Sequence, residues 1–137
     1  MNIDKFKHQH TDILRSIRDL RQLAHAGIQE NADRIASGIV SMSALIKLHL
    51  AVEDKALYPA LPKIGNPELA RLGQRYQQEM GDIAQQYDAF SRRWNHPQNV
   101  QQDSEGFRDD ANRVLRIVFE RMQRENLDFY PRIEAQR

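Results

Sequence analysis

A histidine and a glutamate four residues apart on a helix present an imidazole and a carboxylate on one face, which is half of a metal site. His49 and Glu53 stand in this relation within HLAVEDKALYP, His49 to Pro59. A second segment, RMQRENLDFYP from Arg121 to Pro131, superimposes on the first without a gap at an offset of 72 residues. In each copy the glutamate, Glu53 or Glu125, lies six residues before a proline. Tyr58 or Tyr130 directly precedes that proline, and Leu57 or Phe129 precedes the tyrosine. Where the first copy has His49, the second has Arg121, so the second copy has lost its imidazole.

The elements that must position these groups are read from apolar periodicity, which predicts four helices. The first runs from about Asp4 to the Ala26–Gly27 region, with Phe6, His10, Ile13, Ile17, Leu20 and Ala24 on one stripe. The second runs from about Asn31 to Tyr58, with Ile35, Ile39, Met42, Ile46, His49, Glu53 and Leu57 inward, and is expected to stop at Pro59 and Pro62. Asn66 and Pro67 open the third, whose stripe runs from Leu69 through Tyr76, Met80 and Tyr87 to Phe90 and Trp94. The fourth begins near Asp103 or Ser104 and turns Phe107, Val114, Val118, Arg121, Glu125 and Phe129 inward before Pro131. Residues 95 to 103 read as a polar linker. Short connections between long amphipathic helices make antiparallel neighbours, so the expected fold is all-α, an up-down-up-down antiparallel four-helix bundle forming one domain over residues 1–137.

Six polar residues fall on the inward stripes: His10, His49, Glu53, Tyr76, Arg121 and Glu125. A lone buried carboxylate is costly unless a cation compensates it, so two inward glutamates beside two inward histidines require an explanation. Antiparallel packing brings the start of the first helix and the ends of the second and fourth to one end of the bundle, where carboxylate and histidine metal sites are built.

The pattern resembles the hemerythrin-like family, the HHE cation-binding domain, over essentially the whole chain. The residues that carry the resemblance are His10 in QHTDIL, His49 and Glu53 in HLAVEDKALYP, and Glu125 in ENLDFYP. Members typically hold two irons in a four-helix bundle, with histidines from every helix and two bridging carboxylates. The resemblance assigns Glu53 and Glu125 to the bridging carboxylates, and His10 and His49 to the histidines of one iron. The histidines of the other are missing, because Tyr76, Met80 and Arg121 occupy the corresponding positions.

This departure implies a mononuclear site with His10, His49, Glu53 and Glu125 as ligands and Arg121 as a fixed cation near a carboxylate. Tyr76 and Met80 stand nearby, and Glu79, within reach of the same stripe as Met80, is expected as a surface carboxylate beside Arg75 or Gln78, with a fifth ligand as the alternative. The expected cofactor is one divalent metal per chain, iron first, with zinc or manganese also suited to the donor set. Losing the second set of histidines argues against reversible oxygen carriage and for a metal-binding or sensing protein, with oxygen or nitric oxide as a small gas ligand. The competing expectation is a metal-free helical interaction or structural module in which Arg121 closes a salt bridge across both glutamates. Its partner would be a second copy or another protein.

Composition bounds both readings. The chain has 137 residues, 40% hydrophobic and 28% charged, with a formal net charge of +1 and no cysteine. No basic block points to nucleic acid, and thiolate ligands, disulfides and a thiol nucleophile are excluded. No signal peptide, membrane segment, positioned acid or base, or substrate pocket is read, so the expectation is a cytoplasmic binding protein rather than an enzyme. His8, His25 and His96 are expected at the surface. Tyr87, Phe90 and Trp94 are expected in the core or an interface at the far end of the bundle, and Tyr58 and Tyr130 as packing at helix ends.

Overall fold

In a computed structural model describing residues 2–136, the first helix, α1, spans Asp4–Ala26. The Asn2 side chain accepts a hydrogen bond from the Asp4 backbone at 2.9 Å at its start. It ends at Gly27, whose φ of +144° is open to glycine and strained for other residues. Asn31 then donates from its side chain to the Leu23 and Gly27 carbonyls, fixing the turn into α2, Ala32–Val52. Asn66 caps α3, Pro67–Trp94, by accepting from the amides of Glu68 and Leu69. Pro67 is tolerated in that first turn because its missing N–H has no helical partner there. Asp103 accepts from Gly106 to start α5, Ser104–Arg124.

Two sequence expectations need correction. Residues 95 to 103 are not simply a linker: Pro97–Gln102 forms the short helix α4, anchored by the fully buried Val100. Nor do Pro59 and Pro131 stop their helices. Each is preceded by a π-helical turn, Glu53–Leu57 or Glu125–Phe129, and the chain then continues as a 3-10 helix, Tyr58–Ile64, or as α6, Tyr130–Glu134. Widening the turn re-pairs the Tyr58 amide with the Glu53 carbonyl and the Tyr130 amide with the Glu125 carbonyl. A proline, which has no N–H to give, then follows without breaking the rod.

The fold is all-α among the described residues, a bundle of four long helices. Gln77 early in α3 donates to Asp54 just past α2, and Trp94 at the end of α3 donates to Asp110 early in α5. Lys7 early in α1 pairs with Glu134 at the end of α6. The end of α2 thus lies beside the first part of α3, the end of α3 beside the start of α5, and the start of α1 beside α6. Tyr87, Phe90 and Trp94 are core residues, and the Tyr87 hydroxyl donates to the Ile39 carbonyl at 2.7 Å.

The core is in two parts. The larger is built on Ile13, Ile17, Ile39, Met42, Val114 and Val118, the smaller on Phe6, Leu57, Leu61, Tyr76, Phe129 and Ile133. His10, His49, Glu53, Arg121 and Glu125, all essentially without solvent exposure, are the buried charged or titratable groups associated with neither. By length and composition the stretch Ala32–Ile64 would suit a membrane span, although no such run was read from the sequence. Its inward stripe of Ile35, Ile39, Met42 and Ile46 is buried in the bundle, and Val40 and Leu48 are exposed on its outer face.

Candidate metal centre

The repeated segments set the site. Glu53 and Glu125 are each the first residue of a π-helical turn, so both carboxylates project from the same local geometry at one end of the bundle. α1 contributes His10 and α2 contributes His49. Ligand atoms from His10, His49, Glu53 and Glu125 all lie within 4.8 Å of one another. His10 Nε2 is 2.8 Å from Glu125 Oε1, and His49 Nε2 is 3.1 Å from Glu53 Oε1. The two Nε2 atoms are 3.0 Å apart.

Both imidazoles are held from behind. His10 Nδ1 donates to the Asn126 side-chain oxygen at 2.8 Å, and His49 Nδ1 donates to that of Gln9 at 2.7 Å. With both Nδ1–H bonds directed outward, each Nε2 turns a lone pair inward. The cluster then holds five inward acceptor atoms: His10 Nε2, His49 Nε2, both oxygens of Glu53, and Glu125 Oε1. The remaining oxygen of Glu125 accepts from Arg121 Nε at 2.7 Å.

One O–H faces these acceptors. The Tyr130 hydroxyl lies 2.8 Å from Glu53 Oε2, 3.0 Å from His10 Nε2 and 3.3 Å from Glu125 Oε1. It has a single hydrogen to give, and Glu53 Oε1 makes no directed hydrogen bond among the described residues. Such a surplus of buried lone pairs is met by added protons or by a cation. Protonation is favoured at His49. Burial alone would lower its pKa, but the adjoining Glu125 and Glu53 carboxylates raise it to about 9. Burial would likewise raise Glu125, yet the adjoining His10 and His49 imidazoles and the Arg121 charge hold it well below the usual carboxylate range. Burial, followed by the two carboxylate charges, raises Tyr130, so its hydroxyl stays protonated in the metal-free protein.

Arg121 reaches the cluster and does not snorkel outward. Beyond Glu125 it donates to the Tyr76 backbone carbonyl and to Glu79 at 3.4 Å, with its guanidinium 4.4 Å over the Tyr76 ring. Among the described residues it pairs with Glu125 and not with Glu53, so the expected salt bridge across both glutamates is not formed. Tyr76 is buried but turns its hydroxyl away, to Asp128 at 2.9 Å, and Met80 belongs to the larger core. Glu79 does not stand among the candidate ligands: its side chain is 47% exposed and pairs with Arg121 and Arg124 at the surface. His8, His25 and His96 are exposed.

Three residues of the site escaped the sequence reading. Tyr130 packs the helix end against Phe6 and His10, as expected, but its hydroxyl also enters the cluster. The signal for it was the repeat itself, which carries a tyrosine five residues after each glutamate. Gln9 and Asn126 carried no signal, because their partners lie on other helices. Tyr58, the repeat counterpart of Tyr130, is buried, and its hydroxyl has no hydrogen-bond partner among the described residues.

No curated protein and no solved structure matches the chain. The family model of the hemerythrin HHE cation-binding domain matches residues 1–133.

Proposed function

Because the chain belongs to the hemerythrin HHE cation-binding domain family, we propose that it binds one metal ion per chain through His10, His49, Glu53 and Glu125. In this reading it serves as a metal-binding or sensing protein rather than an oxygen carrier. The observation that carries the proposal is a surplus of buried lone pairs that protonation of His49 does not remove: His10 Nε2, both oxygens of Glu53 and Glu125 Oε1 face only the Tyr130 hydroxyl and the His49 N–H. A cation removes the surplus at once, and the two imidazoles already carry their N–H groups on the outer nitrogens, as ligation through Nε2 requires. The mixed imidazole and carboxylate donors suit iron, the metal of choice here, and accept zinc or manganese.

Arg121 supports a single metal position. Its guanidinium occupies the place in the second repeat that His49 holds in the first, and it fixes one oxygen of Glu125. Oxygen carriage in the family rests on a pair of irons, whereas this chain has Tyr76, Met80 and Arg121 where the second set of imidazoles would stand. When bound, the ion would supply a coordination position for a small ligand such as oxygen or nitric oxide. Because the ligands come from three helices, occupancy would be coupled to the stability of the bundle, which is how a sensor would read metal or gas.

A second, metal-free reading draws on one observation: Arg121 and a protonated His49 together match the charge of two carboxylates. Thermal unfolding separates the readings. Anaerobic Fe(II) at about 100 times its Kd should stabilise the wild type by about 2.7 kcal/mol, several degrees in Tm. The gain should be lost in His10→Ala and His49→Ala. An absence of shift with Fe(II), Zn(II) and Mn(II), or an equal shift in both variants, would favour the metal-free module.

A further inference from the structure

We infer that Tyr130 is a fifth ligand, a phenolate that fits the site to ferric iron. This rests on the metal-site reading above and goes beyond it by naming the oxidation state that the site prefers. Tyr130 Oη stands 2.8 Å from Glu53 Oε2, 3.0 Å from His10 Nε2 and 3.3 Å from Glu125 Oε1. These separations match those among the candidate ligand atoms themselves, 2.8 Å from His10 to Glu125 and 3.1 Å from His49 to Glu53. The hydroxyl is therefore a member of the donor cluster and not a neighbour to it. Its one proton is given in full to a single acceptor, which leaves the phenol oxygen within reach of two further candidate ligand atoms.

The ring is fixed where it stands. It is fully buried, stacked 5.0 Å from the His10 ring and tilted against Phe6 at 6.3 Å, and the π-helical turn beginning at Glu125 sets its backbone. Its repeat counterpart, Tyr58, stacks on Phe129, and its hydroxyl makes no directed hydrogen bond among the described residues. Of two tyrosines in equivalent places, only Tyr130, stacked on His10, brings its hydroxyl to a hydrogen-bond partner in the cluster among the described residues.

Donor type selects the oxidation state. With Arg121 holding the outer oxygen of Glu125, the ion would meet two carboxylates and one phenolate, and three oxygen anions are hard donors that prefer Fe(III) to softer divalent ions. Binding forms one Fe–O bond and releases the phenol proton to solvent, with no change in the oxidation state of iron.

The test uses the full, metal-free chain with one equivalent of Fe(III) supplied as a weak citrate chelate, followed by desalting. Retained iron, visible absorbance and resonance Raman spectra are measured. The wild type should retain about one iron and show a phenolate-to-Fe(III) charge-transfer band with enhanced phenolate modes. Tyr130→Phe should retain iron and lose the band, and Tyr58→Phe should keep both. Retained iron without phenolate modes in the wild type overturns the inference while leaving the metal site intact. A band that survives in Tyr130→Phe, or that vanishes in Tyr58→Phe, also overturns it. No retained iron in the wild type defeats the ferric site itself, and absence of Fe(II), Zn(II) and Mn(II) binding as well would defeat the metal-site reading. The wild-type Raman spectrum and Tyr58→Phe decide the matter even if Tyr130→Phe misfolds.

Discussion

His10 Nε2 and His49 Nε2 face each other at 3.0 Å inside the bundle, with both Nδ1 atoms turned outward onto amide oxygens. Two imidazole nitrogens so close cannot both present bare lone pairs. Either a proton or a cation lies between them, and the two choices respond oppositely to pH.

In the metal-free protein the His49 pKa is about 9, above its ordinary 6.5, because Glu125 and Glu53 outweigh the opposing effect of burial. The folded state thus holds the extra proton between those values. Stability from this group is full below about pH 6.5 and is lost as pH rises towards 9. Glu125, held low, contributes stability that disappears only as pH falls through the acid range. Metal competes with the His49 proton, so apparent affinity should rise by up to about tenfold per pH unit below pH 9. Denaturant melts of metal-free protein and metal titrations from pH 6 to 9 should therefore trend in opposite directions. Parallel trends would contradict the assignment of this proton to His49.

Arg121→Met should be strongly destabilising. It leaves Glu125, fully buried, without its closest cation, and breaking a buried pair by removing one partner costs about 3–5 kcal/mol. Metal addition should recover part of that loss. A loss under about 1 kcal/mol in chemical denaturation would mean that Arg121 does not compensate the carboxylate.

Gln9→Leu and Asn126→Leu each remove the acceptor that holds a histidine N–H outward. Each should lower metal affinity by about 10–100-fold, as losing such orienting partners does elsewhere. Competition against a metal-binding indicator dye measures this directly. Unchanged affinity in both variants would show that the ring orientations are set by packing alone.

Glu79→Gln separates a ligand from a surface partner. Its half-exposed carboxylate pairs with Arg121 and Arg124 over 3.3–3.4 Å, and exposed pairs contribute about 0–1 kcal/mol. Metal affinity should be unchanged and stability nearly so. A tenfold loss of affinity would add Glu79 to the ligand set.

How much of this was legible in the chain depended on whether the signal was local. Helix starts were written in single caps, Asn66 and Asp103, and the inward stripes named His10, His49, Glu53 and Glu125 because 3.6-residue periodicity projects burial directly. The π-helical turns were hidden, since a proline six residues after a glutamate reads as a stop until the amide five residues on is seen to pair with that glutamate's carbonyl. That misreading also kept Tyr130 out of the expected site, although the repeat had already placed a tyrosine there. Gln9 and Asn126 act across the bundle, from α1 onto α2 and from the last π-helical turn onto α1. Residue type at those positions says nothing of such contacts.

The central claim is one metal position per chain, and elemental analysis addresses it most directly. Protein prepared without chelator or histidine tag, then loaded anaerobically with Fe(II) and desalted, should carry about one iron, zinc or manganese per chain. His49→Ala prepared in the same way should carry almost none. Two metals per chain would contradict the role given to Arg121, and none in the wild type would mean that protons and Arg121 alone neutralise the buried carboxylates.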